Sequence, residues 1–156
     1  MNYNMIAYLL GNILHIEGIL LSVPVVVAFF YKEELSATAF IASAIVCLIV
    51  GAVLQSREPD DKRIYGREGF VVAAASWIIM SVFGALPYYL TKSIPGFINC
   101  YFETVSGFTT TGSTILTDIA SLPKGMNFWR CFTHWVGGMG VLVFIMAILP
   151  LSGSSN

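Results

Sequence analysis

Residues 109–114, Thr-Thr-Thr-Gly-Ser-Thr, place oxygen ligands in an unbroken row. A cation that sheds water needs such oxygens, and rings of backbone carbonyls supply them in potassium filters. Each threonine offers a carbonyl and a hydroxyl, and Gly112 permits the positive φ that would turn successive carbonyls toward one axis. As a bare six-residue string the segment reads as a polar surface loop. Its surroundings reverse that reading. The stretch before it, residues 94–108, is apolar and aromatic but only about fifteen residues long, too short to cross a bilayer and of re-entrant length. A helix beginning near Pro95 and Gly96, with Ser93 as a candidate cap, would aim its negative C-terminal end at the ion. Glu103 on that helix would be costly against lipid. Its expected task is to hydrogen-bond the filter backbone from behind, with Thr109 and Thr114 at the two ends of the strand as supporting positions.

These residues demand a membrane scaffold, and composition provides one. Apolar residues make up 56% of the chain and charged residues 11%, against about 25% charged in soluble domains; mean hydropathy is +0.78. A net charge of -1 excludes the basic balance of a nucleic-acid binder. Four stretches reach the roughly 20 residues a spanning helix needs: 5–30, 35–54, 70–90 and 128–150. The second, dotted with Ala, Ser and Gly, suits close helix approach. If spans three and four are antiparallel, the segment between them must dip into the membrane and return on one side. Non-helical backbone survives there only inside protein or beside a water-filled cavity.

Loop Lys and Arg tie at four on each side, but Arg57, Lys62, Arg63 and Arg67 cluster in one short loop. That loop, 57–69, is therefore expected in the cytoplasm, with both termini inside and the filter mouth outside. Arg67 and Glu68 could alternatively meet a soluble partner. Cys47, Cys100 and Cys131 form no disulfide pattern and read as small packing residues. In the first span, Asn12 and His15 share a helix face and Glu17 does not, leaving a packing or subunit-contact role against a transport role. Arg130 and His134 lie four apart near the mouth; Arg130 is expected to pair with Asp118 or Glu103 rather than present bare charge to entering cations. The glycines Gly137, Gly138 and Gly140 suit close packing or a gating bend, with packing preferred. No nucleophile–base pair or metal cluster supports an enzyme.

A family resemblance then emerges from Arg67-Glu68-Gly69-Phe70, Gly84-Ala85-Leu86-Pro87-Tyr88, Phe102-Glu103-Thr104-Val105-Ser106-Gly107-Phe108 before TTTGST, Trp129-Arg130, and His134-Trp135-Val136-Gly137-Gly138-Met139-Gly140. The chain resembles the Trk/Ktr/HKT superfamily of potassium transporters. The resemblance implies an all-α membrane protein: an extra N-terminal helix pair (1–56), a loop (57–69), and one M1-P-M2 repeat (70–150) with M1 at 70–90, pore helix at 94–108, filter at 109–114 and M2 at 128–150. Residues 151–156 would start a connecting loop. It carries over ion-facing positions Thr110, Thr111, Gly112 and Ser113, with potassium at Thr111 and Gly112, and no cofactor beyond the transported ion. One repeat cannot enclose a pore, so three further repeats or copies are implied, and a fragment of a longer protein is expected; a truncated or accessory subunit with an assembly or regulatory role is the alternative. The family further implies a plasma-membrane homodimer of complete chains, a cytoplasmic nucleotide-binding regulatory subunit, and either channel-like flux or symport with sodium or protons.

Overall fold

The computed structural model describes residues 3–56 and 66–152. Arg57, Glu58, Asp60, Asp61, Lys62 and Arg63 lie outside the described residues. The described chain is helical: α1 (Tyr3–Leu20), α2 (Ser22–Phe30), α3 (Glu34–Gln55), α4 (Gly66–Gly84), α5 (Leu86–Leu90), α6 (Phe97–Phe108), a 3-10 turn (Ile119–Ser121) and α7 (Lys124–Ser152). Three helical stretches among these residues, Tyr3–Phe30, Glu34–Gln55 and Gly66–Leu90, are long and apolar enough to cross a membrane. The 29 residues of α7 extend about 43 Å, more than the hydrocarbon thickness.

Two expected single spans are each interrupted. The first breaks at Leu21, three residues before Pro24, and the third at Ala85, two residues before Pro87. Proline has no N–H to give the carbonyl four residues back, so each ladder loses a bond. Both breaks stay in right-handed helical geometry, so the helices continue in nearly the same direction. The fourth span starts at Lys124, four residues before the expected Phe128.

The N-terminal pair is fastened by small residues and side-chain hydrogen bonds. A Cβ added at Gly11 would lie 2.8 Å from the Gly51 carbonyl, and one at Gly51 would lie 2.9 Å from the His15 ring. At that separation Gln55 Nε2–H donates to Asn12 Oδ1 (2.7 Å) and the His15 ring donates to the Leu48 carbonyl (3.2 Å). Asn12 and His15 therefore serve the α1–α3 packing contact. Cys47 and Cys100 are buried as expected, whereas Cys131 is exposed.

Trp129 joins the pair to the repeat. It is fully buried, meets Phe40 of α3 and Phe108 of α6 edge-on (6.2 and 6.3 Å between centroids), and its indole N–H donates to the Gly84 carbonyl (3.0 Å).

Candidate functional site

Helix α6 is short because its two ends are built differently from a spanning helix. It begins after Gly96, which takes φ +82°, and no side chain caps it. The Ser93 cap expected from sequence does not form: helix onset at Phe97 leaves Ser93 too far upstream, and its hydroxyl bonds Thr91 Oγ1 instead (2.7 Å). The pore helix starts at Phe97, directly after the Pro95–Gly96 pair that marks its start in the sequence, so of the apolar stretch 94–108 only 97–108 is helical. Its C-terminal end is wedged against α7. A Cβ on Gly137 would overlap the Phe108 carbonyl, and one on Gly107 would overlap the Thr133 hydroxyl. Gly137 lies thirteen residues into α7, so α6 reaches about 20 Å below the start of that helix. Close packing is what the α7 glycines do: Gly137 meets Phe108, and Gly140 faces the Trp77 ring of α4, within an unbroken helix.

From that depth the chain returns as residues 109–114. The N–H groups of Thr109, Thr110 and Thr111 donate to the carbonyls of Val105, Gly107 and Ser106 (2.9–3.0 Å), and Gly112 N–H also reaches Ser106 (3.4 Å). The helix end and the strand thereby satisfy each other's backbone groups. The carbonyls of Thr110, Thr111 and Gly112 accept from no donor among the described residues, and Thr109–Ser113 are exposed on the far side. Gly112 takes φ +74° with nothing within 4 Å of an added Cβ. Thr110 takes φ +58° as well, which sequence reasoning missed because a β-branched residue is disfavoured there. Its hydroxyl bonds the Thr109 carbonyl (2.7 Å).

The upper end of the strand is held by Glu103, which is 2% exposed. Its Oε2 accepts from the Thr114 hydroxyl (2.9 Å) and the Ile115 N–H (3.3 Å), while Oε1 pairs with Arg130 Nε at 2.6 Å. Of the two partners open to Arg130, the fold selects Glu103; Asp118 instead accepts from Ala120 N–H in the 3-10 turn. Ser106 Oγ donates to the Ser113 carbonyl (2.6 Å), turning that oxygen toward α6. His134 is half-buried and its Nδ1–H donates to the Arg130 carbonyl (2.8 Å), so it braces α7 rather than opening onto the mouth.

The TrkH family profile, described as a cation transport protein, matches residues 36–156. The chain belongs to the TrkH family. It is 34% identical to the Trk system potassium uptake protein TrkG of Escherichia coli K12 over 95% of this chain and 31% of that protein. An uncharacterized cation transporter of Methanocaldococcus jannaschii is 35% identical over 96% of this chain and 31% of its own length. The crystal structure of the potassium transporter TrkH from Vibrio parahaemolyticus superposes with a TM-score of 0.90 at 29% identity, covering 96% of this chain and 32% of that one. The chain thus spans about a third of the relatives it matches. TrkH-family membership and the helix–pore helix–helix layout make this a multi-pass membrane protein, with cation transport rather than enzymatic chemistry as the family's activity.

Within this TrkH-family chain, Glu17 stands apart from Asn12 and His15. It is fully buried, and neither carboxylate oxygen has a hydrogen-bond partner among the described residues. An added Cβ at Gly84 would lie 3.2 Å from its Oε1, 2.9 Å from Thr104 Cγ2 and 3.1 Å from Phe108 Cε2, placing the carboxyl where α1, α4 and α6 meet. Glu68 is also buried, while Arg67 is exposed. Among the described residues no group of three or more His, Cys, Asp or Glu could hold a metal ion.

Proposed function

We propose that residues 109–114 form one strand of a potassium-selective filter, with Thr110, Thr111, Gly112 and Ser113 facing the ion and three further repeats completing the ring. Residues 70–150 then constitute one repeat, and this chain supplies a quarter of the filter for potassium uptake. The observation that carries the reading is the backbone polarity of the strand: the N–H groups of Thr109–Gly112 are consumed by the end of α6, while the three successive carbonyls of Thr110, Thr111 and Gly112 have no donor among the described residues. A dehydrated cation needs that arrangement. The C-terminal end of α6 adds roughly half a negative charge nearby. Relatives named as potassium uptake proteins support potassium as the cargo. Because the Ser113 carbonyl already accepts from Ser106 Oγ–H, the strongest coordination is assigned to Thr111 and Gly112.

Gly112→Ser places a side chain on a residue at φ +74°, a conformation L residues avoid at a cost of about 1–2 kcal/mol. In the complete pore, expressed in a potassium-uptake-deficient strain, it is expected to lower rubidium uptake and weaken growth at low potassium. Unchanged flux and growth would remove the filter assignment.

The same reading puts the N-terminus in the cytoplasm and the filter mouth outside. The turn between α2 and α3 lies on the mouth side, since Glu33 bonds the start of α7. A cysteine at exposed Lys32 should therefore react with an impermeant thiol reagent added to intact cells; protection until the membrane is opened would reverse the orientation. A homodimer of complete chains and a cytoplasmic nucleotide-binding subunit complete the proposal, on family resemblance.

A further inference from the structure

Glu33 precedes α3 and had no assigned role in the sequence. Lys32 at φ +59° reverses the chain, and Glu33 N–H donates to the Ala28 carbonyl (2.9 Å), closing the turn. Its side chain leaves the N-terminal pair and reaches across to α7. Oε1 accepts from Lys124 N–H at 2.6 Å and Oε2 from Gly125 N–H at 2.9 Å. These are two of the first N–H groups of the helix, which have no partner within it. A carboxylate across them forms two charge-assisted bonds and complements the positive end of the helix. Gly125 lets the contact close: an added Cβ would lie 3.1 Å from Ala28 Cβ and 3.3 Å from Glu33 Oε2.

What lies downstream on α7 gives this clamp its significance. Arg130 stands five residues beyond Gly125, about 7.5 Å along a rigid helix. Its Nε holds Glu103 Oε1, and Glu103 Oε2 holds Thr114 and Ile115 at the end of the strand. The burial of Trp129 and its contact with Phe40 fix the lateral spacing of α7. The Trp129 indole bond to the Gly84 carbonyl holds the middle of this segment, and the two Glu33 bonds hold its end, so Arg130 lies one residue beyond the first restraint and five beyond the second. A shift of α7 by a fraction of a turn would move the Arg130 guanidinium off a 2.6 Å contact and free the strand that Glu103 anchors.

We propose that Glu33 is a positioning residue for the filter: it sets the axial register of α7, and through Arg130 and Glu103 the geometry of residues 113–115. The N-terminal pair thereby acts on ion discrimination without touching the ion. This rests on the filter reading above.

The test compares Glu33→Ala, Glu33→Gln and Gly112→Ser in the complete pore, in cells and in proteoliposomes, reading the ratio of rubidium to sodium flux alongside protein abundance. Glu33→Ala removes both acceptors and is expected to reduce the ratio at least about tenfold, the scale of a single lost charge-assisted bond being the lower bound. Glu33→Gln keeps one acceptor and its shape, and should fall between the two. A purely structural role would lower abundance and total flux together with an unaltered ratio, and that outcome overturns the proposal. So does failure of Glu33→Gln to accumulate, since the residue would then serve folding. If Gly112→Ser leaves the ratio intact, the filter reading itself fails. If Gly112→Ser changes it and both Glu33 variants do not, only the positioning role fails.

Discussion

Two carboxyl groups are enclosed at membrane depth, one where α1 crosses α4 and the other between α6 and α7, and the protein treats them in opposite ways. Glu103 spends both oxygens: one on Arg130, the other on the Thr114 hydroxyl and the Ile115 N–H. Glu17 spends neither among the described residues. Burial is almost the same, 2% exposed against 0%, so depth alone does not separate a working carboxylate from one that is merely enclosed. Partners do. An irregular strand at this depth cannot satisfy its backbone by helix bonds, and Glu103 supplies acceptors that the strand lacks. The α1 helix has its own ladder and asks nothing of Glu17. Its neighbours Asn12 and His15 spend their polar atoms on α3, at Gln55 and the Leu48 carbonyl.

The largest effect that tests this contrast is expected at Glu103. Glu103→Ala strands Arg130, whose side chain is 13% exposed, and releases the end of the strand. Breaking a buried pair in this way costs about 3–5 kcal/mol. Purified complete protein should melt at a markedly lower temperature, and rubidium uptake should be lost even in the fraction that folds. Near wild-type uptake would mean that the strand holds itself.

The smallest effect is expected at Glu17. Glu17→Gln conserves the shape and breaks no hydrogen bond among the described residues, so stability should shift by less than about 1 kcal/mol, the net worth of one ordinary bond, with uptake unchanged. The contrast breaks if Glu17→Gln lowers the melting temperature as far as Glu103→Ala does. Selective loss of uptake with stability intact would instead return Glu17 to the transport role left open by its position in the first span.

Much of the layout was legible because lipid imposes simple length rules. An apolar stretch of fifteen residues between two of spanning length has little choice but to turn back. Gly112 was legible as a residue that permits the positive φ it adopts, and Glu103 was traceable as a carboxylate too costly to leave facing hydrocarbon. Other features left no local trace. Ser93 resembles a cap in sequence, yet the helix starts after a glycine at φ +82°. Thr110 adopts a backbone that its β-branched side chain argues against. The stretches 5–30 and 70–90 read as single spans, and the breaks at Leu21 and Ala85 were not expected there.

Sequence by itself determined the solvent, the re-entrant segment, its oxygen-rich strand and the family, since all four are written in hydropathy, length and short motifs. Only the tertiary structure decided who meets whom. Glu33 and Lys124 are 91 residues apart, Trp129 and Gly84 are 45 apart, and Arg130 chose Glu103 over Asp118. The physical reason is that a hydrogen bond acts over about 3 Å, whereas its partners are brought to that distance by helix packing: by Gly137 against Phe108, Gly107 against Thr133 and Gly11 against Gly51.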